Sequence, residues 1–223
     1  MAGEAGRGAQ AQATRESILV AAERLFAERG VYAVSNRQVG EAAGQGNNTV
    51  VSYHFGTKAE LVRSIAHRHL EPIETVRMRL VAGIRDRAGI REWVSCLVRP
   101  VTEHLEALGS PTWYARFSAQ VMTDPTLHRI MIEESVAFPA MWEILEQVDR
   151  CLGGLPVEVH EERTAMASQL IVHMCAERER ALAENTPTPR SCWQDTATGL
   201  TDAIVGLWLA PVTTRPADGE PRP

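Results

Sequence analysis

The sequence predicts an all-α protein: an N-terminal three-helix domain with a helix-turn-helix pattern, followed by a larger helical domain. Three observations point there. Apolar residues recur at helical spacing along most of the chain, with Ala, Leu, Glu and Arg favoured between them. Glycine and proline gather at the two ends and at a few breaks, and nothing reads as a strand pair. Two compact helix-start signatures stand close together before residue 61, and a long helical stretch follows them.

Residues 1–13 and 211–223 have the polar, Gly- and Pro-bearing composition of disordered tails, which leaves a head at 14–60 and a body at 61–210. In the head, Thr14 can cap the first helix, Glu16 suits its positive end, Ile18, Ala21, Ala22, Leu25 and Phe26 form one apolar stripe, and Gly30 stops it. Ser35 followed by Gln38 is a capping box that opens a second, shorter helix, with Val39, Ala42 and Ala43 inward and Gly44 at its end. Gly40 lies inside that helix at a cost of about 1 kcal/mol against alanine, which a close approach to another helix would justify. A third short helix is expected from Asn47 or Asn48 to His54, broken at Gly56. Thr57 and Glu60 then form a second capping box, opening a long helix with Leu61, Ile65, Ile73, Val76 and Leu80 on its apolar side. Pro72 is expected to kink or break that helix.

Beyond about Gly83 the pattern gives helices near 89–108, 111–122, 126–151, 157–185 and 191–209. Gly109-Ser110-Pro111, Asp124-Pro125, Gly153-Gly154-Leu155-Pro156 and Thr186-Pro187-Thr188-Pro189 mark the breaks, and Pro139 is placed to kink or split the middle helix.

Bulk properties narrow the function. With 223 residues and 44% hydrophobic content the chain can bury a real core. No stretch has the length and apolarity of a membrane span or a secretory core, so the expected location is cytoplasmic and no membrane partner is expected. Cys96, Cys151, Cys175 and Cys192 lie far apart without a CxxC pair, as buried thiols in a reducing compartment do. No GxSxG, HExxH, phosphate-cradling glycine loop or metal-spaced His/Cys/carboxylate cluster is present, and His67 and His69 are two apart on one helix, so no enzyme, metal or cofactor is expected. Residues 1–60 carry six basic and six acidic residues and the rest 17 and 22, so a nucleic-acid argument must rest on local placement of groups.

Two short capped helices joined at Gly44 and held by a longer first helix have the pattern of a helix-turn-helix unit, whose second helix enters a major groove about 12 Å wide. Its N-terminal residues here are Asn47, Asn48 and Thr49: amides that can pair with adenine edges or cap the helix, and a hydroxyl whose methyl can meet thymine. Lys58 is the only lysine beside 22 arginines and stands at the first turn of a helix, where a cation opposes the dipole. A DNA phosphate would resolve that conflict, while a solvated surface lysine is the plainer alternative.

VGEAAG at 39–44, with Tyr53-His54-Phe55-Gly56-Thr57-Lys58-Ala59-Glu60-Leu61, resembles the signature of the tetracycline-repressor-like (TetR) family of transcriptional regulators. The resemblance implies that Tyr53, His54 and Lys58 contact DNA phosphates and that Phe55 packs the head. It implies a ligand-responsive regulator, usually a repressor released from a palindromic double-stranded operator by a small molecule. It also implies about six further helices, a pocket among them, and a homodimer through the last two helices. Two features depart from the family: Gly40 stands where it usually has alanine, and the turn from Gly44 to Thr49 is one residue longer, which leaves the base-reading register open.

On the last two helices, Ala165, Leu170, Ile171 and Met174, and then Trp193, Ala197, Leu200, Ile204 and Trp208, form stripes suited to a bundle, between subunits or within one. Trp93, Trp113, Tyr114, Phe117, Met122, Met141, Trp142 and His173 are candidates to line a pocket or to form ordinary core. A helix-turn-helix regulator without a ligand, or an all-helical enzyme, are the alternatives.

Overall fold

The structure, a computed structural model, describes residues 2–47, 49–85 and 88–213, with side chains from residue 8 onward. Among these residues it is all helix: α1 Ala2–Arg29, α2 Asn36–Ala42, α3 Val50–Phe55, α4 Lys58–Ala82, α5 Ile90–Leu108, α6 Tyr114–Val121, α7 Pro125–Val136, α8 Pro139–Cys151, α9 Val157–Ala183 and α10 Trp193–Leu209. No helix among them is long and apolar enough to cross a membrane.

The α1 stripe of Ile18, Ala21, Ala22, Leu25 and Phe26 is buried, and the helix stops at Gly30, whose φ of 87° favours glycine. It starts far earlier than Thr14. Residues 2–13, expected as a tail, continue α1: the run is alanine-rich and free of proline, and its three glycines weaken the helix without ending it. At the other end, residues 211–213 are not helical and residues 214–223 lie outside the described residues.

α2 opens with both halves of the Ser35–Gln38 capping box, and Val39 and Gly40 are its buried face. Ala42, expected inward, is exposed. A seven-residue helix packed at one end has room for a narrow buried edge only. Gly40 does face α3, yet a Cβ there would meet Val50 Cγ1 at 3.6 Å and Val51 Cγ2 at 3.9 Å, which is ordinary contact. Close approach therefore does not require glycine at this position.

α4 runs unbroken from Lys58 to Ala82 through Pro72, which sits on its exposed side, where the helix loses one hydrogen bond without forcing the ring into the core. Its start is half of the expected box. The Thr57 hydroxyl accepts from Glu60 N at 3.1 Å, while the Glu60 carboxylate turns to Arg63. Pro139 splits the segment expected at 126–151 into α7 and α8.

In the body α10 packs on α5 and α6 on α9, with α4 crossing α5, α7 and α8. Two helices that lack side-chain caps of their own borrow carboxylates. Glu179 of α9 accepts from Ala115 N and Arg116 N, both at 3.0 Å, at the start of α6, and Glu74 of α4 accepts from Ala140 N at 3.0 Å at the start of α8. The α10 stripe of Trp193, Ala197, Leu200, Ile204 and Trp208 is wholly buried inside the chain. Head and body join where α1 lies on α6, with Phe26 and Phe117 stacked at 6.4 Å.

Candidate nucleic-acid interface and body cavity

The turn between α2 and α3 begins at Gly44, φ 70°, and closes through Gln45 N donating to Gly40 O at 2.9 Å. Asn47 ends it. Its Oδ1 accepts from Thr49 N at 2.9 Å and from the Thr49 hydroxyl at 2.8 Å, so both lone pairs are engaged. In this conformation the Asn47 side chain is tied to Thr49, the N-cap residue of the recognition helix, and can offer a base only its amide donor, not the bidentate pair that reads adenine. Asn48 lies outside the described residues. α3 begins at Val50, later than expected, after the turn that the Asn47 to Thr49 bonds close. Thr49 is exposed beside it.

α3 is anchored by Val51 and Phe55 and presents the opposite face: Tyr53 is 84% exposed, and its ring meets that of His54 edge-on at 5.1 Å. His54 is half-buried. A tyrosine that exposed gains nothing for the core, so its place at the end of the recognition helix is chemically open to an anion. Asn36 and Arg37, not singled out from the sequence, stand beside this face at the start of α2. Asn36 Nδ2 donates to the Ser52 hydroxyl at 3.2 Å, and Arg37 pairs with Glu41 at 2.8 Å in solvent.

Lys58, expected at a phosphate, turns inward. Its Nζ donates to Val34 O at 2.5 Å and Val31 O at 3.0 Å in the turn between α1 and α2, and lies 5.9 Å and 5.8 Å from the ring centres of Phe26 and Tyr32. Partial burial pushes its pKa below the usual lysine value. The carbonyls resolve the clash with the helix dipole that the sequence left to a phosphate: the ammonium bends away from the axis of α4 and ties the helix-turn-helix to the start of the body.

In the body, a cavity of about 400 Å³ opens among α4 to α10. Leu70, Ile73, Leu97, Met131, Ile171 and Trp208 are typical of its wall, and of the residues proposed from the sequence it takes Tyr114, Met122 and Met141. The others face elsewhere. Trp93 and Phe117 are core, Trp113 is packed against the core just before α6, Trp142 is 59% exposed, and His173 lies on the outer face of α9. Aromatic character does not tell which side of a helix a residue takes, and Trp142 is not buried at all, so three tryptophans and a phenylalanine misled.

One wall of the cavity leads to the head. Tyr114 stacks on His69 with ring centres 4.0 Å apart at 15°, and His69 Nε2 lies 2.9 Å from Glu23 Oε2 of α1. His69 Nδ1 lies 2.8 Å from His104 Nε2 of α5, so with one proton given to Glu23 a neutral His69 accepts from His104. Arg68 braces Glu23 at 3.6 Å and Glu16 at 2.7 Å. Burial first, then His69 and Arg68, lowers the pKa of His104 to about 4, and burial raises that of Tyr114. The chain Glu23–His69–His104 is a buried polar seam between head and body. Its signal in the sequence was periodicity, since His69 stands four residues from both Ile65 and Ile73 on the buried stripe of α4.

The outer face of α9 carries a shallow apolar groove formed by Ala165, Met166, Leu170 and Met174 with Leu207 of α10. Met166 and Met174 are 42% and 46% exposed.

Residues 18–65 match the family model described as "Bacterial regulatory proteins, tetR family". Two solved structures of the NalD secondary repressor of the MexAB-OprM multidrug efflux pump in Pseudomonas aeruginosa are similar along most of the chain. The native form shares 25% identity over 87% of this chain and 96% of its own, with a TM-score of 0.55. A second NalD structure shares 24% identity over 88% and 95%, with a TM-score of 0.54. No curated protein matches the chain.

Proposed function

We propose, from the premise that the chain belongs to the tetR family of bacterial regulatory proteins and is a DNA-binding transcription regulator, that it is a repressor released from its operator by a small molecule held in the body cavity. The observation that carries this reading is Tyr114. It lines the cavity and stacks on His69, the residue that holds Glu23 of α1, so a ligand that displaces the Tyr114 ring changes the seating of the head on the body. A coupling of about 1 to 3 kcal/mol, roughly 5- to 150-fold in affinity, is enough for a switch.

The head, 14–60, meets DNA through the end of α3. Tyr53 and His54 take phosphates, and Thr49, with Asn47 through its amide donor alone, stands nearest the base edges. One six-residue recognition helix covers little DNA. Two heads about 34 Å apart read a two-fold operator. The partner is a second copy of this chain, seated on the outer face of α9 in the body, 61–210, where Met166, Leu170 and Met174 present apolar surface. α10 contributes through Leu207, since its long apolar stripe is occupied within the chain.

Selection of random duplexes on the purified protein tests the reading. A two-fold consensus, bound by two copies and weakened by Tyr53→Ala with the fold intact, is the expected result. Enrichment of no sequence would overturn the regulator reading, and an operator affinity that no small molecule changes would favour a regulator without a ligand.

A further inference from the structure

The walls of the body cavity say what kind of molecule it is built for. Among the described residues that line it, the ionisable ones are Arg77, His128, Tyr114 and Cys175, and none is a carboxylate. Burial raises the Tyr114 hydroxyl and pushes the Cys175 thiol up to about 12, so both are neutral. A cationic ligand therefore finds no counter-charge.

Arg77 is the one permanent charge in the wall, and it is 2% exposed. Its Nη1 donates to Glu74 Oε2 at 2.5 Å, and the other oxygen of Glu74 holds the start of α8 through Ala140 N. The pair is neutral as a unit, so an anionic ligand would add an uncompensated charge to a low-dielectric site. Its Nε is buried with no acceptor. Trp208, also in the wall and 2% exposed, has an indole N–H in the same state. Buried donors left without acceptors carry a desolvation cost that an incoming oxygen can relieve. Of the wall's hydroxyls, those of Ser118 and Ser135 are spent on main-chain oxygens, Tyr114 O at 2.9 Å and Met131 O at 2.7 Å, while those of Tyr114, Thr164 and Ser168 are weaker, neutral donors than the guanidinium.

We infer that the cavity takes an uncharged, mostly apolar molecule bearing a carbonyl-type oxygen, which accepts a hydrogen bond from Arg77 or Trp208 while its hydrocarbon part lies against Leu70, Ile73, Met131 and Ile171. This rests on the reading of the cavity as a ligand site. A volume of about 400 Å³ suits a single small molecule.

The test uses four probes of matched length on the full chain: 2-nonanone, nonane, octanoate and octyltrimethylammonium, titrated by tryptophan emission and calorimetry. The ketone is expected to bind on the order of tenfold or more tighter than nonane, and tighter than either ion. Arg77→Met with Glu74→Gln keeps the wall neutral, and this double variant should reduce the ketone's advantage over nonane while nonane itself binds as before. Arg77→Met alone strands a buried carboxylate and is not used. Equal binding of ketone and nonane, or tighter binding of octanoate or the ammonium, overturns the inference, as does failure of all four to bind. If the ketone binds as expected while operator affinity stays constant, the ligand class stands and the release mechanism falls.

Discussion

Replacing Lys58 with methionine separates two roles that one residue could play. The ammonium donates two hydrogen bonds to main-chain carbonyls, at 2.5 Å to Val34 and 3.0 Å to Val31, in the turn that sets α2 against α1. A hydrogen bond to a charged group contributes about 1.5 to 3 kcal/mol, and burying part of the ammonium offsets some of the total. Methionine keeps the stem against Phe26 and abandons both carbonyls, so the expected loss is about 2 to 4 kcal/mol, a large part of a typical folding free energy of about 5 to 15 kcal/mol. Urea unfolding followed by circular dichroism measures it as a lower midpoint at unchanged slope. Operator affinity against salt measures the other role: a lysine on a phosphate gives about 0.9 to the slope of log K against log salt, and its removal lowers the slope by that amount. The structure predicts a destabilised protein with the salt slope preserved wherever the fold is intact. A stability change under about 0.5 kcal/mol with a slope reduced by about 0.9 would refute it.

Three further outcomes follow from single features. Gly40→Ala should stabilise the head by about 0.5 to 1 kcal/mol, because the new methyl meets Val50 at ordinary contact distance and the helix interior loses its most flexible residue; a lower melting temperature would mean that α2 and α3 approach more closely. His104 is held neutral, with a pKa of about 4 against 6.5 unfolded, so the unfolded chain binds the extra proton between those values. Stability is complete above about pH 6.5 and falls as pH drops toward 4, by no more than about 3.5 kcal/mol from this group; His104→Phe should flatten that part of the pH–stability curve, and an unchanged slope would remove His104 as its source. Met174→Glu places a carboxylate on the exposed apolar face of α9, and sedimentation should show the assembly shifting to monomer, with retention of a dimer moving the interface elsewhere.

Local chemistry determined the head. Ser35 and Gln38, the glycines at 30 and 44, and the α1 stripe act within a few residues of themselves, so their capping and burial are the same in the sequence and in the fold. The same holds for the split at Pro139 and for helix order in the body. What only tertiary structure decided is the destination of each side chain once helices meet. Lys58 found carbonyls 24 and 27 residues away, Glu23, His69 and His104 joined across three helices, and Arg77 paired with Glu74 in the cavity wall while leaving its Nε without an acceptor. The α10 stripe turned into the chain and left the outer face of α9 apolar. Periodicity tells which side of a helix is buried. It does not tell against what, because that depends on how helices distant in sequence pack together.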